Sequence, residues 1–189
     1  MSHTHTRTRL AIALVTGALA TIAAVQISAS AHDGSHDPSA ADLHSRDGAG
    51  RALAELRRDL APYKDVDVAL ADGFVPVSEC TESPLGGMGV HFLHPDRAMA
   101  PVDPKKPAIL LYAPTDDGGH RLMGAEWFAA DADQDVTTDD DRPSLWGRPF
   151  DGPMAGHDPG MPVHYDLHVW LYDSNPAGVF APWNTSVSC

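Results

Sequence analysis

The sequence predicts an α+β fold, with N-terminal helices packed on a small antiparallel β-sheet or barrel. Three observations predict it. Apolar residues recur at helical spacing ahead of Gly73. After Cys80 the chain changes to short runs rich in β-branched and aromatic residues, separated by Pro, Gly and Asp. Asp116-Asp117-Gly118-Gly119 is a hairpin turn that joins two of these runs antiparallel.

The first element is not part of that fold. Residues 1–9 are polar and carry Arg7 and Arg9, residues 10–27 are apolar and uncharged, and Ala29-Ser30-Ala31 fits a small-x-small cleavage pattern. These are the three parts of a secretory signal peptide spanning residues 1–31. The competing reading is a membrane anchor, but the run is rich in Ala and Thr, is about minimal for spanning, and ends in a cleavage site. The arginines are not adjacent and no cysteine lies near the cut, so neither a twin-arginine signal nor a lipid anchor is supported. The expected location is therefore secreted or cell envelope, with no stable membrane anchor after cleavage. Residues 32–46 are small, polar and Pro/Gly-containing, as in a disordered leader, and residues 47–189 form a single globular domain.

Within that domain Ala49, Ala52, Leu53, Leu56 and Leu60 make one helical face, opposite Arg51, Glu55, Arg57, Arg58 and Asp59. Asp47 is the expected N-cap and Pro62 the stop. A second helix fits residues 66–72, capped by Asp65 and ended by Gly73. Strands are expected at residues 90–93, 108–113, 121–130 and 163–172. Residues 131–160 hold Asp, Pro and Gly without periodicity, and loops that long are functional or disordered.

Charge and cysteines narrow the function classes. Cleavage removes two arginines and no acid, taking the net charge from −13 to −15. Such a chain repels phosphate backbones, so no nucleic-acid partner is expected, and it attracts cations. Cys80 and Cys189 are the only cysteines. An oxidising compartment then allows one intramolecular bridge, tying the chain end to the start of the folded region.

Residues 163–172 hold the densest group of reactive side chains. In a strand Val163, Tyr165, Leu167, Val169 and Leu171 form one apolar face, and His164, Asp166, His168 and Trp170 share the other. His164 and His168 lie about 13 Å apart along an undistorted strand, too far to share an ion without a bulge or a second strand. His168 with Asp166 as an outer carboxylate is easier to build. Gly86-Gly87-Met88-Gly89 lets backbones approach closely just before His91. Glu126 is a lone acid in an uncharged stretch and needs a partner if buried. His91, Glu126 and His168 come from three predicted strands, with His164 as a fourth candidate. Two imidazoles and one carboxylate suit a divalent metal: zinc with an open position, iron, manganese or copper. Trp127, Trp146 and Trp170 are candidates to wall a pocket under the 131–160 loop. The plainer reading makes these ordinary structural histidines, with Glu126 on a wet face or paired with Arg121 or Arg148.

Three weaker signals accompany this one. Cleavage after Ala31 would place His32 at the N-terminus, where its amine and imidazole together chelate copper. Asp131, Asp133 and Asp135 have calcium-loop spacing, but Val136 replaces the required glycine and Arg142 the bidentate glutamate, so the loop reads as solvated and acidic. Asn184-Thr185-Ser186 is a glycosylation sequon in a host that glycosylates. No G-x-S-x-G elbow or phosphate-binding glycine loop is present, which disfavours the usual triad hydrolases.

Residues 63–189 resemble a group of exported bacterial proteins of unknown function. The resemblance rests on Ala71-Asp72-Gly73-Phe74, Cys80, Gly87-Met88-Gly89-Val90-His91-Phe92, Leu111-Tyr112, Glu126, Trp146-Gly147-Arg148-Pro149-Phe150, Leu167-His168-Val169-Trp170 and Asn175-Pro176-Ala177-Gly178-Val179-Phe180. It implies membership and brings no activity with it. The cupin signature of closely paired histidines followed by a glutamate is absent. Two functions remain open: a secreted metal-binding protein, or a non-catalytic extracellular or cell-envelope interaction protein with structural histidines. No motif names a protein or small-molecule partner.

Overall fold

The computed structural model describes residues 40–189 apart from Pro159, with side chains from residue 48 onward. The expected signal peptide and His32 lie outside the described residues. Helix α1 spans Ala40–Asp59. Its Leu56, together with Leu60 just past its end, is buried in the core, as the apolar spacing requires. Asp47 lies inside this helix and is not its N-cap, and the helix takes in the last residues assigned to the leader. A 3-10 turn at Ala61–Lys64 follows, with Pro62 in its first positions. In α2 (Val66–Ala71) the Asp65 carboxylate accepts from the Asp67 N–H, and Gly73 leaves at φ +102°.

The rest is sheet. The strands are β1 (Val75–Pro76), β2 (Thr81–Ser83), β3 (Gly86–Leu93), β4 (Ile109–Pro114), β5 (His120–Ala130), β6 (Ser144–Leu145), β7 (Arg148–Pro149), β8 (Asp151–Met154) and β9 (His164–Trp170), with a one-turn α3 (Pro95–Ala98) after β3. Seven of them form one sheet in the order β1-β3-β4-β5-β9-β8, with β2 paired to β3. Every pairing is antiparallel. The sheet is open, with β1 and β8 at its edges, so the barrel alternative is set aside. The predicted hairpin joins β4 and β5, where Thr115 and Gly119 close the turn and Gly118 takes φ +80°.

Both faces of the sheet are covered. The first carries Leu110, Tyr112, Ala125, Trp127, Tyr165, Leu167 and Val169 against the helices. The second carries Ile109, Leu111, Met123 and Trp170 against Val187 of the C-terminal tail and Ala98 of α3. This explains why β4 reads as a continuous apolar run and why every residue of β9 is buried. The tail is held by paired hydrogen bonds between Gly87 and Asn184 and by the Cys80–Cys189 disulfide, whose Cα atoms are 5.6 Å apart.

A bulge in β5 sets the phase of the site. Leu111 opposes Gly124 and Tyr112 opposes Leu122, which leaves Met123 as the extra residue. Leu122 packs into the first core and Met123 into the second. Simple alternation from Leu122 would have put Glu126 in the first, apolar core. The bulge instead sends Ala125 and Trp127 there and leaves Glu126 on the second face.

The 131–160 segment is more structured than its composition suggests. β6 and β7 form a small hairpin, β8 extends the main sheet, and Phe150 is buried in the first core.

Candidate metal centre

His91 projects from β3, Glu126 from β5 and His168 from β9. Glu126 and His168 are direct cross-strand partners. One ligand atom from each of the three residues lies within 4.8 Å of the other two. His91 Nε2 is 3.4 Å from Glu126 Oε2, and His168 Nε2 is 3.5 Å from the same oxygen. Glycines permit this convergence. A Cβ at Gly89, where φ is +85°, would stand 2.4 Å from the Tyr112 carbonyl oxygen, and one at Gly124 would stand 2.3 Å from that of Val169. Glu126 and His168 are buried, while the His91 side chain keeps 14% of its surface and forms the solvent side of the centre.

The outer faces of both rings meet a polar group. Ser78 Oγ lies 3.0 Å from His91 Nδ1 and also accepts from the His91 backbone N–H at 3.0 Å. Asp166 Oδ1 lies 3.5 Å from His168 Nδ1. That distance makes an ion pair and not a formed hydrogen bond. Asp151 on β8 opposes Asp166 in register, extending the acidic line to the sheet edge. Glu126 Oε2, both ring nitrogens of His168, Asp166 Oδ1 and Asp151 Oδ2 are buried without a hydrogen-bond partner. An uncompensated buried polar atom costs about 1–3 kcal/mol, more if charged, so this group has unused capacity to bind.

Electrostatics divide the two histidines. Burial, then the charge on His168, pushes His91 down to about 3, so it stays neutral. Burial also opposes charge on His168, but the Glu126 and Asp166 carboxylates outweigh it and raise the ring to about 9. Burial lifts Glu126 to about 7 against the pull of His168. The centre therefore offers one neutral imidazole, one carboxyl poised near neutrality and one imidazole that holds a proton.

No protein-family model, curated protein or solved structure matches the chain. The centre has to be read from its own geometry.

The remaining sequence candidates fall elsewhere. His164 is not in the convergent group. It stacks on Phe128 with ring centroids 5.0 Å apart, and its Nδ1 meets the Pro162 carbonyl at 3.1 Å. The three tryptophans do not wall one pocket. Trp127 and Trp146 meet edge-to-face at 5.2 Å against the first core, while Trp170 belongs to the second. Arg121 pairs with Asp173 and not with Glu126. Asp133 and Asp135 spend their oxygens on local turns with Thr137, Thr138 and backbone N–H groups, as a solvated loop does. Asn184 is fully buried, donates to the Ser174 carbonyl and accepts from Ser186 N–H, so the folded chain offers no sequon there. Sequence reasoning missed Ser78 and Asp151. Nothing local marks a single serine as a partner for His91, and Asp151 was one acid among many in an irregular stretch.

Proposed function

We propose that this is an exported, disulfide-closed domain that binds a divalent metal ion through His91 Nε2, Glu126 and His168 Nε2. The spacing of those atoms carries the reading. Ligand atoms about 2.0–2.1 Å from a tetrahedral zinc stand about 3.3–3.4 Å apart. The two edges to Glu126, 3.4 and 3.5 Å, match that spacing and are too long for good hydrogen bonds. Two imidazoles and a carboxylate leave at least one coordination position for water or a substrate, on the side of His91. Zinc, iron, manganese and copper all accept this donor set.

Export is supported by the disulfide and by the signal-like first 31 residues. Among the described residues no helix is long and apolar enough to cross a membrane.

Elemental analysis of untagged protein tests the metal. Stoichiometric metal, lost in His91→Ala and His168→Ala, is the expected result. Metal-free protein that folds and ignores chelator sinks the reading. One observation favours an interaction protein instead: Val75 of edge strand β1 and the neighbouring Val77 are exposed, as are Val68 and Leu70 of α2. Metal-free protein would move weight to that reading.

A further inference from the structure

The two imidazoles have unlike partners on their outer sides, and this divides their work. The inference rests on the metal reading above. His168 is 1% exposed in its side chain and has a carboxylate, Asp166, at 3.5 Å from Nδ1. His91 is the ring that solvent touches, and its Nδ1 meets a neutral, half-buried hydroxyl, Ser78, at 3.0 Å. A ligating imidazole donates its second N–H outward, and an anionic acceptor there raises the basicity of the ring more than a hydroxyl does. Ser78 Oγ already accepts from the His91 backbone N–H, and a hydroxyl oxygen has a second lone pair for Nδ1–H. On the outside, His91 Nδ1 is hydrogen-bonded to Ser78 and His168 Nδ1 faces the Asp166 carboxylate, while both Nε2 atoms face the same oxygen of Glu126.

We propose that Asp166 and Ser78 are positioning residues of unequal strength: Asp166 makes His168 the anchoring ligand, and Ser78 leaves His91 as the ligand through which the metal exchanges with solvent. Asp166 sits two residues from His168 on the same face of β9, so the backbone fixes its distance to the ring. Ser78 precedes β2 on a segment tied to β3 by the Val77 N–H to the His91 carbonyl. The partly exposed ring and the weaker partner thus coincide at one end of the centre.

The test measures zinc affinity by chelator competition and zinc release by stopped flow, at a temperature where near-ultraviolet circular dichroism shows each variant folded. Loss of an outer partner costs about 10–100-fold in metal affinity. Asp166→Ala is expected near the upper end of that range. Asp166→Asn, which keeps an acceptor oxygen without the charge, is expected near the lower end and remains measurable if the alanine variant does not fold. Ser78→Ala is expected to speed zinc release with a smaller loss of affinity than either Asp166 variant. The visible spectrum of bound cobalt(II) should shift in Asp166→Ala and keep its wild-type form in Asp166→Asn. A purely structural role would lower the melting temperature and leave affinity and spectrum alone. Wild-type affinity in both Asp166 variants, or a larger loss in Ser78→Ala than in Asp166→Asn, overturns the proposal. Wild-type protein that binds no zinc overturns the metal reading itself, a separate and recognisable outcome.

Discussion

Gly124→Ala probes how closely β5 must approach β9 to bring Glu126 to His168. The added Cβ would lie 2.3 Å from the Val169 carbonyl oxygen and 3.2 Å from the Trp170 Cα. Weak carbon–oxygen contacts lie at about 3.3–3.6 Å, so the overlap is about 1 Å. The obstacle is backbone and has no rotamer to move into. Overpacking a core costs about 1–3 kcal/mol, and a clash this rigid belongs at about 3 kcal/mol. A urea slope of about 1–3 kcal/mol per molar then lowers the midpoint by about 1–3 M. The strands have to part at Gly124–Trp170, two steps along the register from Glu126–His168. Zinc affinity should therefore fall together with stability. Gly48→Ala supplies the control, because that glycine lies in α1 with nothing within 4 Å of an added Cβ. It should stabilise by about 0.5–1 kcal/mol. Urea titrations followed by tryptophan fluorescence read both. A Gly124→Ala protein within 0.5 kcal/mol of wild type that keeps its zinc would refute the packing argument, on a scale where ordinary surface changes stay within about 0.5 kcal/mol.

Other consequences can be checked separately. Replacing Cys80 and Cys189 by serine opens a loop with a sequence separation of 109, worth about 5 kcal/mol in the chain-entropy model. At about 2–4 °C per kcal/mol the melting temperature should fall by roughly 10–20 °C, and a drop of only a few degrees would contradict it. Zinc affinity should weaken with falling pH, because the metal must displace the proton of His168, held to about 9, and below about 7 that of Glu126 as well. Both groups hold protons above their ordinary values, so the sign is fixed. The affinity should fall steadily from pH 8 to pH 6, and a competition titration in which it stays constant or rises over that interval would contradict this protonation scheme. Zinc at about 100 times its dissociation constant should stabilise the folded protein by about 2.7 kcal/mol, and chelator should reverse this in a thermal melt. His91→Ala and His168→Ala should each abolish the zinc-dependent rise.

The parts legible in the sequence were those fixed by near neighbours. The Asp116–Gly119 turn and the runs flanking it give β4 and β5 almost to the residue. Asp65 and Gly73 bound α2 through local hydrogen bonding and a left-handed step. His91, Glu126 and His168 could be nominated because each stands out from an apolar strand. The start of α1 was misread because Asp47-Gly48 has the chemistry of a boundary. Glycine costs a helix about 1 kcal/mol, and packing of Leu56 and Leu60 into the core offsets it. β8 was hidden because Gly152-Pro153 reads as a turn. Whether the sheet closes, and whether its second face is wet, depend on where the tail and the edge strands go, which no local window reports. The separation of Trp170 from Trp127 and Trp146 follows from that second covered face.

The bulge at Met123 makes the location of the site a matter of counting. Downstream of it, each β5 side chain keeps its face only while one unpaired residue stands between the Leu122–Tyr112 and Gly124–Leu111 pairs. Which residue fills that gap matters less than that the gap is filled. Deleting it would leave the chemistry of Glu126, Trp127 and Phe128 intact and exchange their addresses, sending a carboxylate into the helix-facing core and an indole toward the histidines. Substitution scans would therefore under-report the importance of this position. A single-codon deletion would reveal it, and chains that share these side chains but differ by one residue here would not share the centre.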